Sequence, residues 1–139
     1  MDGLTFVDTS VLVYAHDRSE GRKHALARSL LEELWAAPSG VLSTQVLQEF
    51  YVVATRKFDP PMRRDEAAEV VALYGTWPVI QIGVPVILGA VQLEAEHRLS
   101  FWDALIVEAA RLAGATRLAT EDLQHGRQLA GVRIEDPFR

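Results

Sequence analysis

The chain has 139 residues, 49% apolar and 24% charged, with a formal net charge of −5 and no cysteine. That composition implies one globular domain, residues 1–139, with enough core to fold without staples. It excludes disulfides and thiolate metal sites and fits a reducing, cytoplasmic compartment. The acidic balance argues against a general nucleic-acid binder but leaves room for an enzyme whose acids hold a metal. Asp2 stands where a secretory leader would carry basic residues. The longest apolar run, Ile82 to Val91, contains Pro85 and is too short to cross a bilayer, so no membrane association is expected.

Leu4 to Val7 reads as a short buried strand that Asp8 ends abruptly; no element is assigned between there and Ser19. Glu20 to Ala37 reads as a helix with Leu26, Leu30, Leu31 and Leu34 on one face. Pro38-Ser39-Gly40 is a turn. Val41-Leu42 is a second strand, and Ser43 or Thr44 can cap a helix from Gln45 to Lys57. Pro60-Pro61 interrupts, and Arg64 to Tyr74 is helical. Val79 to Ile82 is a strand, followed by a helix from about Val86 to His97. Ser100 caps a helix from Phe101 to Ala113, closed by Gly114. Thr116 to Ala119 is a strand, Leu123 to Leu129 a short helix and Val132 to Ile134 the last strand. This alternation implies an α/β domain: a mostly parallel sheet of four to five short strands with helices on both faces. Ligands then bind outside the carboxyl ends of the strands.

Asp8, Ser43-Thr44 and Thr120-Glu121-Asp122 follow three separate strands and place oxygen atoms on that edge. Asp8 and Asp122 also read as plain helix caps. Glu49 lies about 40° outside the apolar arc of its helix, and about 7 Å along it from Thr44. Helical side chains lean toward the N-terminus, so a Glu can reach back to the sheet edge, although a surface Glu fits as well. Asp103 completes a capping box with Ser100, yet it projects beside the apolar stripe between Ala110 and Val107. Periodicity alone does not bring Asp103 to the other acids.

The stretches "FVDTSVLVYAHD", "STQVLQEFYVVATRK", "SFWDALIVEAARLAGA" and "LATEDLQHG" occur in order along nearly the whole chain. Together they resemble the PIN-domain ribonucleases, and within these the VapC-type toxins of bacterial toxin–antitoxin pairs. The resemblance implies that Asp8, Glu49, Asp103 and Asp122 are catalytic metal ligands, with Thr120 a supporting hydroxyl. Ser10 stands where many members have Asn and would give Asp8 one hydrogen bond. Asp17 also falls on a motif position. The resemblance further implies an RNA substrate, 5′-phosphate and 3′-hydroxyl products, an antitoxin laid across the active-site groove, and a homodimer.

An all-carboxylate set suits Mg²⁺ or Mn²⁺ rather than zinc. His16, His24, His97 and His125 show no ligand spacing. Two basic groups, Arg18/Arg22/Lys23 and Arg56/Lys57/Arg63/Arg64, are candidates for phosphate contacts, with solvated helix faces as the plainer reading. The alternative function is a catalytically inactive PIN fold that binds RNA or protein. A haloacid-dehalogenase-type phosphatase is disfavoured, because its motif wants a second Asp where this chain has Ser10.

Overall fold

The computed structural model describes residues 3–139; Asp2 lies outside the described residues. β1 (Leu4–Val7) is apolar and largely buried, as a strand covered on both faces must be. It runs directly into α1 (Thr9–His16), the helix that periodicity leaves unassigned. Thr9, Val11 and Val13 are β-branched and spaced by two, which mimics strand alternation. The Asp8 carboxylate decides the matter by accepting from the first helical N–H and capping α1. Val11, Leu12 and Ala15 then face the core. A short 3₁₀ turn, Arg18–Glu20, and Gly21 at φ +54° delay α2 (Arg22–Ala36) by two residues. Ala27, Leu31 and Leu34 of α2 are buried, so the Leu26/Leu30/Leu34 face is mostly spent on the core.

β2 (Gly40–Ser43) leads into α3 (Thr44–Arg56), capped by Ser43, whose hydroxyl accepts from Val46 N–H. Gly40 is required there, because a Cβ would collide with the Trp77 ring. α4 (Arg64–Tyr74) and β3 (Val79–Ile80) follow; β3 is half the expected length. α5 (Val84–His97) opens with Pro85 in its first turn, α6 (Phe101–Leu112) is capped by Ser100, and β4 (Ala115–Ala119) returns to the sheet. α1 packs on α2 and α3, α3 on α4, and α5 on α6.

The expected helix at Leu123–Leu129 is absent. β5 (Gln128–Leu129) instead pairs antiparallel with β6 (Val132–Glu135). Ala130 and Gly131 both have positive φ, the backbone a two-residue hairpin turn demands. Gly126 at φ +85° breaks any helix before it starts. The sheet therefore has six strands, in the order β3-β2-β1-β4-β6-β5. All neighbours are parallel except β5 and β6.

Candidate active site

β1 sits inside the sheet with β2 on one side and β4 on the other. The chain therefore leaves β1 outward through β2 and β3, then crosses back to β4. That reversal opens a crevice at the carboxyl ends of β1 and β4. Asp8 ends β1, and Thr120 to Asp122 follow β4. Asp8 N–H donates to Ala119 O (3.1 Å), so the two junctions are tied together.

The Asp8 side chain is 6% exposed. Thr9 N–H donates to Oδ1 at 2.7 Å, and the Thr120 hydroxyl donates to Oδ2 at 2.6 Å. Burial pushes its pKa up to about 7; the two hydrogen bonds oppose this, and the charges of Asp122 and Glu49 add to it. Asp122 N–H donates to the Thr120 hydroxyl (3.1 Å), so Thr120 links the two acids. The Asp122 pKa is also raised, first by burial and then by the charge of Asp103. Glu49, near the middle of α3, accepts the Thr9 hydroxyl proton at 2.6 Å. Asp103 N–H donates to Ser100 Oγ (3.1 Å) in the first turn of α6. All four carboxylates line one open cavity of about 540 Å³.

The four acids read from the sequence thus come to one place. Ser10 does not bond Asp8: Thr9 N–H and the Thr120 hydroxyl take the two carboxylate oxygens, and Ser10 Oγ is buried without a partner. Asp17 is the turn residue after α1, accepting from Ser19 N–H and Oγ, and it does not line the cavity. Arg22 and Lys23 are committed internally. Arg22 donates to the carbonyls of Phe138 and Arg139, and Lys23 pairs with Glu121 at 2.9 Å. Arg63 pairs with Asp65 and Glu66. Arg56, Lys57 and Arg64 stay exposed and form no ion pair among the described residues. Sequence reading passed over Thr9, Tyr14, Gln45 and Trp102, which also line the cavity. Their only signal is adjacency to a motif acid or its helix.

Among the described residues, no three carboxylate or imidazole side chains converge into a closed coordination sphere. The donors fit a different kind of ion: a hard cation that keeps several waters and is held by one or two carboxylates. Oxygen-only donors line the cavity together with a buried carboxyl pushed toward neutrality, and a bound cation relieves that burial of charge.

An α/β domain with acids at the switch point of a parallel sheet is the class that fold and cavity define. The PIN domain model matches residues 5–128, and the chain belongs to the PIN domain family. Similar solved structures include Mycobacterium tuberculosis VapC20, titled a Sarcin-Ricin loop cleaving toxin. It is 25% identical with a TM-score of 0.66, over 85% of this chain and 91% of that one. A toxin–antitoxin complex from Klebsiella pneumoniae matches at 22% identity and TM-score 0.70, over 96% and 97% of the two chains. A DNA-bound VapBC from Salmonella typhimurium matches at 17% and 0.68, over 97% and 98%. The last two likenesses speak to fold alone. No curated protein matches the sequence. No helix among the described residues is long and apolar enough to cross a membrane.

Proposed function

We propose that the chain is a Mg²⁺- or Mn²⁺-dependent endoribonuclease and the toxin of a cytoplasmic toxin–antitoxin pair, with residues 1–139 acting as one unit. The observation that carries this reading is the meeting of Asp8, Glu49, Asp103 and Asp122, from four separate segments, on one cavity at the sheet switch point. Asp8, Asp122, Asp103 and Glu49 would hold the cation, one or two of them directly and the others through its waters. When bound, it supplies polarisation of a phosphodiester, a water of lowered pKa, and charge relief at the leaving oxygen.

The residues of the chain set the geometry. Thr120 holds Asp8 through its hydroxyl proton and Asp122 through that residue's N–H. Thr9 holds Asp8 through its N–H and Glu49 through its hydroxyl. These bonds orient the acids before any substrate arrives, as preorganisation requires. Among the described residues no Lys or Arg lines the cavity, so a phosphate enters only with a cation. Exposed Arg56, Lys57 and Arg64 can steer the RNA backbone from outside.

The proposed homodimer would bury the outer face of α5. Val84, Ile87, Leu88 and Val91 fall on one stripe there and are exposed, while Val86, Ala90 and Leu93 face the core. A surface helix apolar on both sides needs cover. Light scattering at micromolar concentration should report a dimer, and Leu88→Glu a monomer. The catalytic reading is tested by incubating the purified protein with a mixed RNA pool. Cleavage with Mg²⁺ or Mn²⁺ and none in EDTA is expected. Undiminished cleavage in EDTA overturns the metal mechanism; intact RNA under all conditions favours the non-cutting fold.

A further inference from the structure

Besides the four carboxylates, the cavity is lined by an apolar wall of Val52, Val53, Ile106 and Trp102, each within about one helical turn of Glu49 or Asp103. Trp102 directly precedes Asp103 and is 64% exposed while lining the cavity. An indole is a large apolar surface to leave in water, and the other two tryptophans, Trp35 and Trp77, pack with Tyr74 in a separate aromatic cluster. Gln45 stands beside this wall, 7% exposed. Its Nε2 donates to the Trp102 carbonyl (3.4 Å), and because a carbonyl only accepts, the amide orientation is set. Oε1 is left as a buried acceptor without a partner.

We infer that this wall is a nucleobase subsite, with Trp102 as the stacking platform for a base next to the phosphate at the carboxylates. The inference deepens the proposed nuclease reading and rests on it for the substrate class. A nucleotide joins an anionic phosphodiester to a planar ring bearing N–H donors. The cavity offers the matching pair: carboxylates that take a cation, and beside them an exposed indole face. Stacking tolerates any base, since every base has a π-face. The wall therefore supplies affinity and register rather than a sequence code. A peptide with apolar and basic side chains is the competing occupant, and it needs an apolar surface but no π-face.

The test uses a ligand that an endonuclease cannot cut. A nucleoside 5′-monophosphate and ribose 5-phosphate carry the same phosphate and differ by the base. With Mg²⁺ present, both are titrated against the wild-type protein, Trp102→Phe and Trp102→Leu, following the backbone amide resonances of cavity-lining residues by NMR, and in wild type the Trp102 indole resonance as well. Trp102 is exposed, so neither substitution threatens the fold. The nucleotide should bind wild type and Trp102→Phe more tightly than ribose 5-phosphate, by about 5- to 150-fold, and shift the Trp102 resonance. Trp102→Leu should erase that difference. With single-stranded RNA, KM should rise in Trp102→Leu while kcat holds.

Equal binding of the two ligands to wild type overturns the subsite. So does a Trp102→Leu protein that keeps the preference for the nucleotide but loses affinity for a basic apolar peptide; that result assigns the wall to a peptide. If the base preference depends on Trp102 and no RNA is cut with either metal, the subsite stands and the nuclease reading falls. If RNA is cut and Trp102→Leu keeps wild-type KM, the subsite falls alone.

Discussion

Asp8 and His16 stand at the two ends of α1, and burial drives both toward neutrality in opposite directions. Asp8 is pushed up to about 7 and His16 down to about 4, each mainly by burial. Their surroundings differ. Asp8 has hydrogen-bond donors on both oxygens, other carboxylates nearby and an open cavity in front. His16 is packed edge-on against Phe50 and Tyr74, and its Nε2 has no partner. An unfavourable charge in a supported, accessible place can be exchanged for a bound cation. The same cost inside an aromatic cluster is only a cost. A perturbed pKa therefore marks a site only where supporting hydrogen bonds and further ligand groups accompany it.

The widest separation between the two ends is in activity. Asp8→Asn should lose RNA cleavage by on the order of a hundredfold or more, since even outer-shell partners of metal ligands cost 10–100-fold. His16→Phe should cut RNA like the wild type. A rate assay with Mn²⁺ on a labelled RNA compares them directly. Equal losses in both variants would mean that α1 matters only as a structural unit.

Stability in EDTA sharpens the contrast. Asp8 has a raised folded pKa, so its contribution is fully present below about 4 and is lost as pH rises to about 7. His16 has a lowered folded pKa, so its contribution is present above about 6.5 and is lost as pH falls toward 4. Between these limits the slopes oppose each other, each spanning on the order of 3–4 kcal/mol. From these two groups the wild-type protein should be nearly flat from pH 4 to 6.5, lose a little more between 6.5 and about 7, and change no further above that. His16→Phe should unmask a steady loss as pH rises, and Asp8→Asn a steady gain. Urea melts at pH 4.5, 5.5, 6.5 and 7.5 read both slopes. Parallel profiles in the three proteins would refute the assignment.

Metal separates the ends by a somewhat smaller amount. At a hundred times its dissociation constant, Mg²⁺ should stabilise wild type and His16→Phe alike by roughly 2.7 kcal/mol. Asp8→Asn should gain much less at the same concentration. Melting curves with EDTA and with Mg²⁺ measure the difference.

The contrast also explains what was legible beforehand. Asp8, Ser43 and Thr120 to Asp122 could be placed because strand ends in a parallel sheet share one edge, a relation that follows from chain order. Glu49 was half legible: the wheel gave its boundary position, while the Thr9 hydroxyl that holds it comes from another element. Asp103 reached the group only through resemblance, since a helix capped from a loop carries no record of which strand it overlies. Support was the least legible part. Ser10 and Thr9 are adjacent hydroxyls, and which of them turns toward the acids depends on the azimuth of a helix that its β-branched spacing left unassigned. The Leu123–Leu129 segment failed for a related reason. Its apolar spacing was compatible with a helix, but the glycines and the positive φ of Ala130 bend it into a hairpin.

The smallest effect concerns Asp103, the one acid with a complete structural explanation in its own helix. Ser100 caps α6 through its hydroxyl, and that bond runs to the backbone N–H of Asp103. The cap therefore does not use the Asp103 carboxylate, which lines the cavity. Ser100→Ala should cost about 1 kcal/mol with or without metal, as lost caps do. Asp103→Asn keeps the N–H and the cap. It loses a favourable charge in the first turn, worth about 0.3–1 kcal/mol, and relieves Asp122 of a charge that raises its pKa. These oppose each other, so in EDTA the variant should melt close to wild type. With Mg²⁺ a difference should open, because one donor to the cation is gone. Melting both variants in both conditions gives four numbers. A metal-independent loss in Asp103→Asn matching that of Ser100→Ala would make Asp103 a capping residue and reduce the site to three acids.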